Sequence, residues 1–263
     1  SFENMLEMIS PFDNVHASCG VHPLDVESDF DFERMRRYAS DDKVVAIGET
    51  GLDYHYQQET AELQQERFKQ HVELAVELNK PLIIHTRNAR EDTLAILRDG
   101  GAEKCGGVIH CFTEDQAFAD AAMELGFYIS ISGIVTFKTA TELQEVVKKI
   151  PLDKLLIETD SPWLAPVPYR GKQNQPGYVR EVGEFSLASP FKTVGLLTDA
   201  MKARKLKKIQ EKIPSATRLS SKYNRRYDVG NVIDVLAMEP VVTESSSCRA
   251  RFHAFTTRPQ SSA

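Results

Sequence analysis

One repeating unit constrains the fold of this chain more than any other feature. From residue 14 to residue 166, short runs rich in Val and Ile are each followed by a polar turn and then by a stretch with helical period. Such alternation is typical of βαβ units and predicts a parallel sheet. Near-continuous apolar runs such as VVAIG and PLIIH predict strands that are covered on both faces.

Six strands are visible in this pattern. The predicted strands are Val15–Val21, Lys43–Gly48, Pro81–His85, Gly107–His110, Phe127–Ser132 and Lys154–Glu158. The predicted helices include Glu62–Asn79, Arg90–Asp99, Glu114–Leu125 and Thr141–Lys149. An eight-stranded (β/α) barrel without its first two strands and an open doubly wound sheet both fit this number of strands, so periodicity alone leaves the two architectures open.

Most of the predicted strands end in a residue that could bind a metal or a substrate. These residues are His22 in GVHP, Glu49 in GETGLDY, His85 in IIHTR, His110 in VIHCF and Asp160 in IETDSPW. The C-terminal ends of the strands of a TIM barrel converge on one face, whereas an open sheet spreads them along a line. Because residues must converge to share an ion, the pattern favours an α/β fold of the TIM-type (β/α) barrel class.

The same residues predict a chemistry. Imidazole and carboxylate groups together suit Zn²⁺, Mn²⁺ or a similar divalent ion. A carboxylate such as Glu49 can bridge two ions about 4 Å apart, and two such ions can activate a water and stabilise a phosphodiester under attack. Asp160 is the candidate catalytic residue, because a carboxylate beside the ion can both bind it and accept the proton of the water.

Longer segments of the sequence resemble a known family. GETGLDY, IIHTRNA, GVIHCFTE and LLIETDSPWLAP are similar, in this order, to the successive signature segments of the TatD-related metal-dependent hydrolases, and GVHP and PYRGKQNQPGYV resemble two more. The similarity runs from residue 19 to residue 182. It implies a (β/α) barrel of the metal-dependent hydrolase superfamily that hydrolyses phosphodiester bonds in DNA with two divalent ions, Mg²⁺, Mn²⁺ or Zn²⁺.

The resemblance also implies roles for single residues. By it, Glu49 bridges both ions, His85 and His110 bind the second ion, and Asp160 binds the first. The family's opening strand carries a D-x-H-x-H segment that completes the first ion's ligands, and this sequence has no such segment. We therefore expect the first two barrel strands to be missing, at most about one ion to bind, and DNA to be cleaved slowly.

Three residues are predicted to bind substrate. His22 can form a hydrogen bond to the substrate or to a ligand residue. Arg87 can make a bidentate contact to a phosphate, and Trp163 can stack on a base. Packing roles for His22 and Trp163 and a structural salt bridge for Arg87 stay open. Asp53 is predicted to support the metal ligands rather than to react.

Two other functions stay open. A metal-dependent amidohydrolase acting on a small amide or ester would use the same barrel, although Glu49 stands where a carboxylated lysine would favour that activity. A degenerate TatD-like protein that has lost catalysis would also explain the absent D-x-H-x-H segment. Metal content separates the degenerate protein from both enzymes.

The charge of the chain changes sign near residue 182. Residues 1–182 contain 18 Lys and Arg against 31 Asp and Glu, a net charge of −13, whereas residues 183–263 contain 14 against 7, a net charge of +7. We predict two regions: a partial TatD-like barrel over 1–182 and a divergent, basic and disordered region over 183–263. An acidic barrel argues against broad electrostatic binding of its DNA substrate, so metals and a few arginines would contact the phosphates.

Location is predicted from what the sequence lacks. It has no apolar run of about 18 residues, which predicts no membrane span. The four cysteines show no zinc-binding spacing and are expected to be reduced thiols. Both features favour the cytoplasm or, in a eukaryote, the nucleus.

Overall fold

A parallel six-stranded sheet forms the centre of the molecule. The computed structural model describes residues 2–13, 15–28, 30–188, 231–238 and 252–259. The strands of the sheet are β1 (Ala17–Cys19), β2 (Val44–Asp53), β3 (Leu82–Arg87), β4 (Gly107–Ile109), β5 (Tyr128–Ile131) and β6 (Leu155–Ile157). They lie side by side in chain order from β1 to β6, and every neighbouring pair is parallel. A doubly wound sheet reverses its strand order, so this order is that of a (β/α) barrel.

Helices connect the strands and cover the sheet. The helices are α1 (Phe2–Ile9), α2 (Phe32–Ala39), α3 (Ala61–Leu78), α4 (Arg90–Asp99), α5 (Gln116–Glu124), α6 (Thr141–Lys149) and α7 (Val179–Ala188). Local chemistry sets several of their ends. Asp31 caps α2 and Asp115 caps α5, because each carboxylate accepts a hydrogen bond from a backbone N–H of the first turn. The left-handed Asn79 ends α3.

Both faces of the sheet are buried, as the apolar runs predict. Adjacent residues of a strand point to opposite faces, so Ile47, Ile84 and Ile109 join the main core that packs under the helices. Their neighbours on the other face form a separate apolar cluster, which consists of Ala46, Ile83, Val108 and Leu156 with Tyr128 packed against it. This second cluster lies on the face of the sheet opposite the main core, so both faces of the sheet are covered by apolar residues.

Strand β2 is longer than the sequence pattern predicts, because it continues past Gly48 to Asp53. The register between β2 and β3 shifts between Ile47 and Thr50, and such an irregularity re-aims a side chain. Gly51 allows the extension: its φ is +135°, and a Cβ there would lie 1.9 Å from the backbone oxygen of His85. The close approach of the two backbones brings Glu49 and His85 next to each other.

The predicted strands all overlap observed ones, and helices α4 and α6 begin and end where the sequence predicts. The boundary predicted near Val182 falls within α7, and the division into two regions stays a prediction. Beyond α7 the structure describes β7 (Asn231–Met238) and β8 (Phe252–Pro259), which pair antiparallel. The rest of the predicted basic region lies outside the described residues. No helix within the described ranges is long and apolar enough to cross a membrane.

Candidate metal centre

Glu49 is the central acid of a polar cluster at the C-terminal end of the sheet. Its Oε1 lies 3.0 Å from Nδ1 of His85 on β3 and 3.4 Å from Nε2 of His22, which follows β1. Nε2 of His110, directly after β4, lies 3.8 Å from the same oxygen. Three imidazoles, from the ends of β1, β3 and β4, therefore face one carboxylate.

Asp160 joins the cluster from the far end of the sheet. It follows β6, and its Oδ1 lies 3.3 Å from Nε2 of His110, the same ring nitrogen that faces Glu49. The structure thus brings together the four residues that the sequence singles out as metal ligands: Glu49, His85, His110 and Asp160. It adds His22 to them at hydrogen-bonding range.

Two of these rings each contact a further carboxylate through the nitrogen that faces away from Glu49. Nε2 of His85 lies 3.0 Å from Oδ2 of Asp53, and Nδ1 of His110 lies 3.0 Å from Oε1 of Glu158. Each ring therefore keeps one nitrogen toward Glu49 while the other donates to a carboxylate. This arrangement fixes the tautomer and the orientation of a metal-binding histidine and makes the free nitrogen more basic.

Glu158 is a further residue of the site that the sequence pattern did not single out, since only Asp160 of the ETD segment was predicted to act there. It is fully buried and also accepts hydrogen bonds from the backbone N–H of Cys111 at 2.7 Å and from the Ser130 hydroxyl. A charged residue at the end of an apolar strand was the available signal, since a buried acid without a partner is costly. Because donors surround both of its oxygens, Glu158 orients His110 rather than offering a ligand atom.

His22 differs from the other two histidines. Its Nδ1 accepts a hydrogen bond from the backbone N–H of Leu24 at 3.1 Å. The neutral ring then carries its proton on Nε2, which points at Glu49. In this state His22 donates to the Glu49 carboxylate and has no lone pair there for an ion.

The electrostatics of the cluster follow from this crowding. Burial alone would raise the pKa of Glu49, but His110 and His22 outweigh it and hold that pKa well below its ordinary value. Burial would lower the pKa of His110, but the Glu158 and Glu49 charges raise it well above the usual range. His85 follows the same pattern, with its pKa raised by Asp53 and Glu49 against burial. Without an ion, the imidazoles supply the positive charge that the carboxylates require.

The donor set fits a divalent ion. One ligand atom from each of His22, Glu49 and His85 lies within 4.8 Å of the other two, and His110, Cys111 and Glu158 form a similar group. Nitrogen and carboxylate oxygen atoms at such spacing suit Zn²⁺ or Mn²⁺. Since His22 and Glu158 have other hydrogen-bond roles, the atoms best placed to bind belong to Glu49, His85, His110 and Asp160.

The other two predicted substrate residues lie outside this cluster. The Arg87 guanidinium is stacked over the ring of Tyr56, with 4.6 Å between its carbon and the ring centroid. Trp163 is 47% exposed, and its backbone N–H donates to the backbone oxygen of Asp160 at 2.9 Å. Both residues follow or end a strand at the same end of the sheet as the cluster.

Known proteins are similar to this chain in sequence. Residues 1–190 match the family model described as TatD related DNase. The chain is 56% identical over 182 residues to the uncharacterized metal-dependent hydrolase YcfH of Escherichia coli K12, covering 69% of each chain. It is 47% identical over 181 residues to the uncharacterized metal-dependent hydrolase YabD of Bacillus subtilis, covering 68% of this chain and 71% of the relative.

A solved structure agrees with these relatives. The TatD homolog YJJV of Escherichia coli superimposes with a TM-score of 0.62 at 28% identity, covering 71% of this chain and 78% of that one. The likeness confirms the predicted barrel-type α/β fold. Together with the family match over residues 1–190 and the relatives named metal-dependent hydrolases, it shows that the chain belongs to the TatD family of metal-dependent hydrolases.

Proposed function

We propose that this chain is a deoxyribonuclease that hydrolyses phosphodiester bonds in DNA with two divalent ions. The observation that carries the proposal is the position of Glu49, whose carboxylate is faced at once by His85 and His110 while Asp160 shares the same nitrogen of His110. A carboxylate between two groups of ligands is the usual bridge of a two-metal site. The description of the matching family model, TatD related DNase, supports the same reaction.

In this proposal Glu49, His85 and His110 would hold one ion, and Glu49 and Asp160 would hold a second. The second ion would have only two protein ligands, so its binding would be the weaker, in line with the absent D-x-H-x-H segment. Bound ions of this kind lower the pKa of a water and neutralise charge on the phosphate. The donor set excludes none of Mg²⁺, Mn²⁺ and Zn²⁺, although its imidazoles favour the latter two.

The side chains themselves have defined tasks. Asp53 and Glu158 keep the protons of His85 and His110 on the far nitrogens, so that the near nitrogens stay free to bind. Asp160 is 17% exposed, and one of its oxygens can accept a proton from the attacking water. His22 holds one oxygen of Glu49 or, in the complex, a phosphate oxygen. Arg87 and Trp163 are proposed to contact the DNA outside the metal centre.

The test is cleavage of labelled single-stranded and duplex DNA by the purified chain in Mg²⁺, Mn²⁺ or Zn²⁺, with bound metal measured by mass spectrometry. We expect the native chain to cleave DNA only when metal is present. In Glu49→Gln we expect the cleavage rate to fall at least a hundredfold and the amount of bound metal to fall as well. Glu66→Gln is the matched control, because Glu66 has a side chain 62% exposed on α3. It should cleave and bind metal like the native chain.

Two outcomes would contradict the proposal. A native chain that binds metal but cleaves only small cyclic amides or carboxylic esters would be an amidohydrolase. A chain that binds no metal and cleaves nothing would be a non-catalytic family member.

A further inference from the structure

Tyr56 is the most exposed of the large apolar side chains in the described residues, at 60%. It lies in the loop after β2, three residues beyond Asp53. The Arg87 guanidinium covers its ring at 4.6 Å, and the His55 ring meets it edge-on with 4.7 Å between centroids. An aromatic ring that contacts a cation and a second ring, and is still open to solvent, is a surface on which a planar group can stack.

The loop that carries Tyr56 is held firmly by hydrogen bonds. Oδ1 of Asp53 accepts from the backbone N–H groups of His55 at 3.0 Å and Tyr56 at 2.9 Å. The buried Gln64 amide of α3 accepts from the Asp53 N–H and donates to the backbone oxygens of Asp53 and Gln57. The exposure of Tyr56 is therefore a fixed feature of the loop and not the result of a loose segment.

The same Asp53 connects this loop to the metal centre. Its Oδ2 lies 3.0 Å from Nε2 of His85, while its Oδ1 holds the Tyr56 backbone. One carboxylate thus sets the position of both a metal-centre imidazole and the exposed ring. A group stacked on Tyr56 would lie at a set distance from the site of hydrolysis.

The positive charge of the Arg87 guanidinium can be used to bind an anionic ligand. Within the described ranges its guanidinium forms no ion pair, and its contact is the ring of Tyr56. Its backbone is fixed, because its carbonyl oxygen accepts from the N–H of Tyr54 at 3.0 Å. A guanidinium beside an aromatic ring offers a phosphate contact next to a stacking surface.

We propose that Tyr56 and Arg87 form a nucleobase subsite, in which Tyr56 stacks on an unpaired base of the polynucleotide and Arg87 contacts an adjoining phosphate. The proposal rests on the proposed function, since it assigns a place to the substrate of that same centre. A base and its phosphate are common to DNA and RNA, so the subsite accepts either sugar. A paired base is excluded because its faces are already stacked in the duplex.

Binding is measured by fluorescence anisotropy with a labelled phosphorothioate oligothymidylate, which resists hydrolysis, in Mg²⁺. Tyr56→Leu is expected to raise the Kd about tenfold, the loss typical of one stacked base, and Tyr56→Phe to keep the native Kd. Phe185→Leu is the matched control, because Phe185 is an aromatic residue of α7 that is 38% exposed. Its Kd should equal the native one.

Two further probes separate base from phosphate and DNA from RNA. An abasic oligonucleotide of equal length should bind the native chain and Tyr56→Leu equally, since it has nothing to stack. Arg87→Gln should weaken both probes and reduce the slope of log Kd against log salt by about one. An oligouridylate should show the same tenfold dependence on Tyr56, and its Kd relative to the deoxy probe identifies the preferred sugar.

Failure of the inference differs from failure of the proposed function. If the native chain binds and cleaves oligonucleotides but Tyr56→Leu binds as well as native, the subsite is wrong and the nuclease stands. If the native chain binds neither oligonucleotide, the subsite and the nuclease function are both wrong. Loss of binding in Phe185→Leu equal to that in Tyr56→Leu would also overturn the subsite, because the effect would then be a general one.

Discussion

The two histidine–carboxylate pairs, His85 with Asp53 and His110 with Glu158, hold the same metal centre in different ways. His85 presents Nδ1 to Glu49 and gives Nε2 to Asp53, whereas His110 presents Nε2 and gives Nδ1 to Glu158. Asp53 accepts its other hydrogen bonds from a surface loop, and Glu158 accepts them from inside the sheet.

This difference gives the two pairs different roles: one belongs to the core of the sheet, and the other connects the metal centre to a surface loop. Glu158 directly follows β6 and accepts hydrogen bonds from Cys111, just after β4, and from Ser130 of β5. It therefore connects the ends of three strands, and the His110 pair is part of the core. Asp53 joins the His85 ring to the loop that carries Tyr56, so the His85 pair connects the centre with the surface. Changes in the first pair should alter mainly folding, and changes in the second should alter mainly metal and ligand binding.

The largest effect is expected for Glu158→Ala. It leaves His110, the Cys111 N–H and the Ser130 hydroxyl without their shared acceptor in a buried place. Removing one partner of a buried ionic network typically costs about 3–5 kcal/mol of unfolding free energy. Urea denaturation followed by circular dichroism measures it. Glu145→Ala, on the exposed side of α6, is the control, and a loss below about 1 kcal/mol in Glu158→Ala would show that the pair is not part of the core.

A buried imidazole outside the metal centre, that of His71, extends the comparison through the pH dependence of stability. His71 accepts from the Val21 N–H and faces the Arg67 backbone oxygen, and burial lowers its pKa to about 4. Between pH 6.5 and 4 the unfolded chain binds a proton at His71 that the folded chain does not, so stability falls as pH falls through that window. The change amounts to about 3 kcal/mol.

The measurement for His71 is unfolding free energy against pH for the native chain and His71→Gln. Gln does not titrate, yet it can keep both hydrogen bonds. The native chain should therefore lose stability relative to the variant between pH 6.5 and 4. Parallel curves for the two proteins would contradict the assignment of a buried neutral ring.

An intermediate effect is expected for Asp53→Asn. The new amide N–H points at Nε2 of His85 and moves the ring proton to Nδ1, the nitrogen that faces Glu49. We expect metal affinity to fall about 10–100-fold, as for other groups that orient metal ligands, with a smaller change in stability than in Glu158→Ala. Isothermal titration with Zn²⁺ or Mn²⁺ measures the affinity, and Asp120→Asn on exposed α5 is the control. Native affinity in Asp53→Asn would contradict the role of Asp53 in metal binding.

The smallest effect is expected for Ser130→Ala. It removes one of three donors to Glu158 and leaves a carboxylate that His110 and the Cys111 N–H still satisfy. The loss should be about 1 kcal/mol of unfolding free energy. Ser132→Ala is the matched control, since the Ser132 hydroxyl contacts the Cys111 sulfur and not Glu158. A loss as large as that in Glu158→Ala would place most of the strength of the pair in β5.

The strands were predictable because each is a short apolar run whose residues face buried layers on both sides. The clustering of the four proposed ligands was predictable because parallel strands end at one face, so residues far apart in sequence need only share strand-end positions to meet. Helix α2 was not singled out: its apolar positions Phe32, Met35 and Ala39 lie among five charged or polar residues. The Asp31 cap was the missing cue.

Other features could not be predicted from local pattern. The extension of β2 depends on the approach of Gly51 to the backbone of β3, which no property of β2 alone reveals. In the sequence, Glu158 cannot be told apart from Asp160 as a site carboxylate; the structure distinguishes them because Glu158 is fully buried and Asp160 is partly exposed. Tyr56 became a candidate binding residue only through its contact with Arg87, which lies 31 positions later in sequence.

The order of the strands has a consequence for when the centre can form. Its side chains come in turn from the first to the last strand of the sheet, from His22 to Asp160. No short stretch of chain contains more than a fraction of them, so a partly synthesised or partly unfolded molecule offers a cation only scattered donors. Asp160 arrives only with the last strand, so the ion that it would share with Glu49 could be held only after that strand has docked. A bound ion would then stabilise the completed arrangement against opening.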